Sequence, residues 1–162
     1  NTKYIINFGC NILEAAYFHN PYSQRLIEGV VDGKAKLVTF DVRLSNTAAK
    51  SDEWFPIFPG TDGIVALAIA NVIMSEGLAK VNFINKWTNY SADKLAKYLE
   101  QYTPEMAEKY SGVDAKDIRR IAIEFASVKP ATTYTYRGPC KHLYGSYNER
   151  CTMLLPIITG NV

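Results

Sequence analysis

Tyr4-Ile5-Ile6-Asn7-Phe8-Gly9, then Leu26, Ile27, Val30 and Val31, then Ala35-Lys36-Leu37-Val38-Thr39-Phe40-Asp41 is the succession that decides the fold. The first run is short, apolar and rich in β-formers, and it stops on a glycine, which predicts a buried strand followed at once by a turn. After Pro21 the apolar spacing changes to that of an amphipathic helix, closed near Gly33, a residue that tolerates a left-handed cap. The third run is again apolar and β-branched and ends on an acid. Together they spell strand, helix, strand.

Working outward, a polar stretch from Arg43 to Glu53 leads to a third short strand, Trp54 to Phe58, and then to Pro59-Gly60-Thr61-Asp62, where the next helix opens. From Gly63 to about Glu76 that helix has almost no charge, so it is expected to be covered on most sides. Residues 80 to 127 carry three or four shorter helices, with starts written by Ser91, by Thr103 ahead of Pro104, and by Asp114. The last of these buries Ile118, Ile121, Ala122 and Phe125 as one stripe. Ala131 to Tyr136 makes a fourth strand, ending in Arg137-Gly138-Pro139-Cys140. A final helix starts near Tyr147, and Pro156 is expected to kink or shorten it. Strands alternating with helices over the whole length predict an α/β fold, an open and mostly parallel sheet with flanking helices.

Composition narrows the partners. With 48% hydrophobic and 21% charged residues a packed core is within reach and disorder is not expected. A net charge of +2 is too balanced for an electrostatic nucleic-acid or membrane-surface binder, so no nucleic-acid partner is expected. No apolar run approaches the roughly 20 residues of a membrane-spanning helix. The start lacks an initiator Met and a signal-peptide n-region, and Thr159-Gly160-Asn161-Val162 reads as a turn leading onward. Residues 1–162 are therefore expected to be a single partial domain, an internal piece of a larger protein. Cys10, Cys140 and Cys151 are an odd set without a CxxC pair, and His19 and His142 are the only imidazoles. Buried free thiols are expected, and no protein-ligated metal. His19 reads as a loop residue.

In such sheets ligands bind just beyond the carboxyl ends of the strands. Gly9 lets backbone approach a ligand and Asn11 supplies a donor and an acceptor, although both are also ordinary turn residues. Asp41 stands where dinucleotide-binding folds place the acid that accepts from ribose hydroxyls, and would equally cap the following turn. Gly60, Thr61 and Asp62 sit at a strand-to-helix junction. A carboxylate there would accept two bonds from the N1 and N2 donors of guanine, selecting it over adenine, or it would cap the helix. Arg137 and His142 flank the last strand end and would meet phosphate, a pterin or an oxyanion, or pair with a local acid. No catalytic constellation of GxSxG, HExxH, P-loop or EF-hand type is present.

Taken together, Phe8-Gly9-Cys10-Asn11, the run from Val38 to Ala49 centred on Asp41-Val42-Arg43-Leu44-Ser45, and Pro56-Ile57-Phe58-Pro59-Gly60-Thr61-Asp62 resemble the molybdopterin oxidoreductases of the dimethyl-sulfoxide-reductase type. The likeness continues through Tyr102 to Ala107, Gly112-Val113 with the helix to Ala126, and the closing Leu154 to Asn161. Asn7 to Phe18 and Tyr134 to Glu149 look most like the catalytic subunits of respiratory arsenate reductases. Thiosulfate, polysulfide and tetrathionate reductases share the Asp-x-Arg-Leu-Ser and Pro-Gly-Thr-Asp segments, and arsenite-oxidising relatives run the chemistry backwards.

The resemblance implies a Rossmann-like domain of a larger enzyme. It implies two molybdopterin guanine dinucleotides clamping one molybdenum, with this segment holding one guanosine. Gly9, Cys10, Asn11 and Glu14 would lie along pyrophosphate and ribose, Asp41 and Arg43 near the guanosine, and Gly60, Thr61 and Asp62 at the guanine edge. Arg137, Gly138 and His142 would approach the pterin. Ile12 stands where the commoner Gly-x-Asn-Pro has proline, which changes the turn after Asn11. The resemblance further implies arsenate as substrate, an upstream iron–sulfur cluster, a small iron–sulfur partner subunit and a periplasmic location. It also places the molybdenum ligand upstream, so no catalytic residue is assigned here.

Overall fold

The computed structural model describes residues 2–14 and 19–161. Strands β1 (Tyr4–Phe8), β2 (Lys36–Asp41), β3 (Glu53–Pro56) and β4 (Ala131–Thr135) form one sheet in the order β3-β2-β1-β4. Every pairing is parallel, so the predicted open α/β sheet is what the chain forms. The helices are α1 (His19–Val31), α2 (Asn46–Ala49), α3 (Asp62–Ser75), α4 (Val81–Trp87), α5 (Ala92–Leu99), α6 (Pro104–Ser111), α7 (Ala115–Ser127) and α8 (Gly145–Thr159). Among the described residues none is long and apolar enough to cross a membrane.

Alternation along the strands sorts the core into two faces. Tyr4, Ile6 and Phe8 of β1 join Val38 and Phe40 of β2 in the larger cluster, with α3, α7 and α8. Ile5 and Leu37 point the other way and pack with Ile12 and with Leu26 of α1. Phe8 stacks on Phe40 at 5.3 Å, and Phe40 meets Phe55 of β3 at 5.5 Å, so one aromatic ladder runs across three strands. Helix α3 is the centre of the larger layer, buried at every position from Val65 to Ala70, as its lack of charge predicts.

Ser91 and Thr103 cap as expected, accepting from the N–H groups of Lys94 and Met106. Asp114 does not cap; its carboxylate pairs with Lys116 at 3.1 Å. Strand β3 lies slightly earlier than predicted, because Glu53 is tied into a charge cluster and Pro56 ends the ladder. Helix α8 starts at Gly145 and passes through Pro156 to Thr159. The proline falls in its last turns, where one missing N–H removes a single bond. The backbone of His19 opens α1 and is not in a loop. Helix α2 was not legible; Ser45 caps it through the Ala48 N–H at 3.2 Å. All three thiols are free, but only Cys10 is buried, while Cys140 is exposed. Ala15 to Phe18, part of the arsenate-reductase-like stretch, lies outside the described residues.

At the amino ends of the strands a charge cluster fastens α7 to the sheet. Lys36 lies 2.6 Å from Glu53 and 2.7 Å from Glu124, and Arg120 reaches Glu53 at 2.6 Å, Glu124 at 3.1 Å and Asp117 at 3.1 Å. The Tyr4 hydroxyl donates to Glu124 at 2.7 Å. Burial alone would raise the Glu124 carboxyl, but hydrogen bonds from Lys36, Tyr4 and Arg120 outweigh it and hold it below its ordinary 4.5. A lowered acid contributes stability that is present above its unfolded pKa and is lost as pH falls through the folded one. Replacing the hub by Arg120→Met is expected to cost about 1–2 kcal/mol near neutral pH, since it takes the guanidinium from Asp117 and leaves Glu53 and Glu124 to share Lys36 at a half-exposed site. Urea unfolding of the intact polypeptide measures this, and the loss should shrink below about pH 4.

Candidate functional site

The order β3-β2-β1-β4 sends the chain to one side after β1 and to the other before β4, so the carboxyl ends of β1 and β4 flank a topological switch point, where open parallel sheets bind ligands. Gly9 and Gly138 face each other there. A Cβ on Gly138 would stand 2.3 Å from the Gly9 carbonyl oxygen, and one on Gly9 would stand 3.2 Å from the Gly138 Cα and 3.8 Å from a carboxylate oxygen of Asp62. Backbone packs on backbone, and both positions require glycine.

Around this contact the carboxyl ends bring acids together. Asp62 opens α3 and is 5% exposed; Asp41 ends β2 and is 8% exposed. Of the two residues that could cap this junction, Thr61 does not: it makes no side-chain cap bond, and its hydroxyl turns back to donate to the Phe58 carbonyl at 2.6 Å. Burial pushes the Asp62 carboxyl up to about 6; the bond from its own backbone N–H and the nearby His142 lower it, and Asp41 and Glu149 raise it. Asp41 accepts from the Ser45 hydroxyl at 2.8 Å, and its carbonyl from the Trp54 indole at 3.2 Å, so it braces the turn into α2 while remaining within electrostatic reach of Asp62. Both alternatives for Asp41, turn brace and acceptor, thus remain compatible with its place.

The remaining predicted residues form two groups. Asn11 donates to Glu14 and accepts from Thr47 at 3.1 Å, and Arg43 pairs with Glu14 at 2.9 Å, making one rim beside the crevice. Hydrogen bonds from Asn11 and Arg43 hold the Glu14 carboxyl below its ordinary value. Gly60 turns at φ 80°, and its Cα side faces the His142 ring, which a Cβ would approach to 3.3 Å. Arg137 is exposed and lies over the Tyr136 ring at 5.3 Å rather than in an acid pair. Cys10 is buried at 2% exposure, and burial, with Glu149 and Asp41 adding to it, pushes its thiol up to about 12. Its side chain belongs to the core; only its backbone faces outward chemistry.

Sequence reading missed three residues here. Glu149 of α8 accepts from Thr135 with one oxygen while its other, Oε2, is buried without a partner. Asn7, fully buried, donates to the Cys10 carbonyl at 3.0 Å and leaves Oδ1 unpartnered. Asn148 links two loops. The available signal was an acid at 149 three positions before Thr152 and six before Leu155, both buried, which places a carboxylate on the buried face of a helix.

A buried cluster of acceptors at the strand ends, set beside glycine backbone, suits a neutral, donor-rich ligand, such as a purine with an amino group or a sugar with free hydroxyls. The molybdopterin oxidoreductase family model matches residues 1–137. The chain belongs to the molybdopterin oxidoreductase family. It is 34% identical over 99% of its length to the arsenate respiratory reductase molybdopterin-containing subunit of Chrysiogenes arsenatis, covering 21% of that protein. It is 32% identical over its whole length to a dimethyl sulfoxide reductase of Haemophilus influenzae, covering 22% of it. Acetylene hydratase from Pelobacter acetylenicus shares the fold, with a TM-score of 0.85 at 22% identity over 99% of this chain and 22% of that one. The chain thus spans about a fifth of the length of these relatives.

Family membership implies a molybdenum–molybdopterin cofactor, and the residues present fit such a group. The unpartnered oxygens of Glu149 and Asn7 are acceptors awaiting donors. The cationic side chains Arg43 and Arg137 lie at the rim, where phosphate charge would be kept off the buried carboxylates.

Proposed function

We propose that this crevice holds the guanosine end of a molybdopterin guanine dinucleotide, one of two that clamp a molybdenum, in the catalytic subunit of a respiratory arsenate reductase. The observation that supports it most is the set of Asp41, Asp62 and Glu149 around the Gly9–Gly138 contact. Asp62 would accept from guanine N1–H and N2–H, and Asp41 and Glu149 from ribose hydroxyls or the remaining amino hydrogen. Gly9, Cys10 and Asn11 would offer backbone along the ribose, and Arg43 with Glu14 would hold the rim. Gly60 and Thr61 would shape the guanine edge, while Arg137, Gly138 and His142 would lie on the pterin side.

When bound, the molybdenum cofactor supplies two-electron oxygen-atom transfer, which would take arsenate to arsenite. The residues of this chain bind its nucleotide end, orient it and exclude water from it. Arsenate is favoured by the 34% identity to the Chrysiogenes subunit and by Tyr134 to Glu149. The 32% identity to a dimethyl sulfoxide reductase keeps a sulfur-compound reductase, including the thiosulfate, polysulfide and tetrathionate enzymes, as the second reading. The upstream iron–sulfur cluster, the small iron–sulfur electron-transfer subunit and the periplasmic location belong to the same proposal. A non-redox nucleotide-binding module would bind guanosine nucleotides and contain no molybdenum.

Reduced-viologen oxidation by the intact polypeptide with its iron–sulfur partner, offered arsenate, thiosulfate, tetrathionate and dimethyl sulfoxide in parallel, tests this. Arsenate-selective turnover is the expected result. Preference for a sulfur compound would discard arsenate and keep the nucleotide assignments.

A further inference from the structure

Two loops carry the acceptor site: residues 57–61, which lead from β3 into Asp62, and residues 136–144, which lead from β4 into α8. They come from positions far apart in the chain, and three contacts join them. The His142 ring lies against Gly60. The other two are made by one side chain: Asn148 Nδ2 donates to the Gly60 carbonyl at 3.2 Å and to the Pro139 carbonyl at 3.4 Å. Both partners are acceptors, so only the amide NH₂ can face them, which fixes the orientation of the group. Its Oδ1 lies against Gly63 in the first turn of α3, where a Cβ would stand 2.5 Å from it and 3.2 Å from the Asn148 Cα. Gly63 is therefore the notch that admits the amide.

We propose that Asn148 is a positioning residue that holds the Asp62 loop and the β4–α8 loop at one fixed separation, and through Asp62 sets the guanine selectivity of the crevice. This rests on the nucleotide reading above. Thr61 ties its hydroxyl to Phe58 and makes no cap bond to the first turn of α3, where Asp62 sits. The carbonyl of Gly60, two residues before it, is what Asn148 grips, so the amide is the brace for the carboxylate's approach to a base. Bidentate acceptance from guanine depends on that approach to within a few tenths of an ångström, whereas stacking and ribose contacts tolerate a shift.

The test uses the cofactor-free intact polypeptide titrated with GDP and with IDP, which differ only in the 2-amino group. The parent protein should prefer GDP about tenfold, the loss of one charge-assisted hydrogen bond. Asn148→Asp keeps the shape and turns the donor into an acceptor facing two carbonyls. It should bring the preference to about twofold or less while IDP affinity changes little. Retention of the full preference by Asn148→Asp overturns the inference. If Asn148→Asp fails to fold, Asn148→Ala is read by the same criterion, with hydrogen exchange at residues 57–64 and 136–144 expected to rise together. Asp62→Asn separates the two levels. If Asp62→Asn loses the preference and the Asn148 variants keep it, only the role of Asn148 falls. If Asp62→Asn also keeps it, or the parent shows none, the nucleotide reading falls and the Asn148 role with it.

Discussion

Asp62→Asn is expected to make the cofactor-free protein more stable and its nucleotide binding weaker. Asp62 is buried beside two other carboxylates, and its pKa in the fold is about 6 against 3.8 for the ordinary side chain. A raised acid binds more protons folded than unfolded, so its effect on stability is nil below about pH 4, grows more unfavourable as pH rises from there to about 6, and is constant above. At neutral pH the strain is on the order of 3 kcal/mol. Removing the charge should recover about 1–3 kcal/mol at pH 7.5 and almost nothing at pH 3, read as the difference between variant and parent in urea unfolding at the two pH values. Guanosine-nucleotide affinity should fall about tenfold or more, because a neutral amide cannot accept two bonds from guanine with the strength of a carboxylate. A stability difference independent of pH would remove Asp62 as the strained group. The pair of effects also gives loading a pH dependence. Donors from a base favour the ionised carboxylate, so binding should tighten as pH rises through about 6.

Gly138→Ala is expected to be among the most damaging single methyl groups that the site can receive. The new Cβ would lie 2.3 Å from the Gly9 carbonyl oxygen and 2.8 Å from its Cα, both backbone atoms at the end of a fully buried strand. Neither neighbour has a side chain to rotate away, so the carboxyl ends of β1 and β4 must part. A cost of about 2–4 kcal/mol in unfolding free energy follows. Gly29→Ala is the control, since a Cβ there meets nothing within 4 Å in the last turn of α1. That change should stabilise by about 0.5–1 kcal/mol. Thermal unfolding of both variants checks the contrast. Equal melting temperatures for Gly138→Ala and the parent would mean that the two strand ends are not in contact.

Much of this was legible from sequence for a simple reason. Strands β1 and β2, buried on both faces, read as continuous apolar runs, and Gly9 and Asp41 mark the ends that the topology then gathers at one edge. Gly9, Asp41, Asp62 and Gly138 were found because chain direction alone puts strand ends together. Sheet order was not legible, and with it the meeting of Gly9 and Gly138, because pairing between distant strands leaves no local trace. Glu149 and Asn148 escaped for a related reason. They act from the second turn of α8, whose start was read two residues late, and their partners lie on other elements. The charge cluster of Lys36, Glu53, Arg120 and Glu124 escaped because Arg120 and Glu124 look like any solvated helix face until β2 and β3 are brought beneath them.

The aromatic ladder of Phe8, Phe40 and Phe55 ties correct assembly of the sheet to its chemistry. Phe8 faces Phe40 in register, and the next residue of β2 is Asp41. A slip of one residue between β1 and β2 would turn a ring of the ladder toward α1 and swing the carboxylate into the helical layer. A misthreaded sheet would therefore lose its ligand along with its core. Under the proposed nucleotide reading, ligand capture would add to the preference for the one threading in which rings and acids both find their sides.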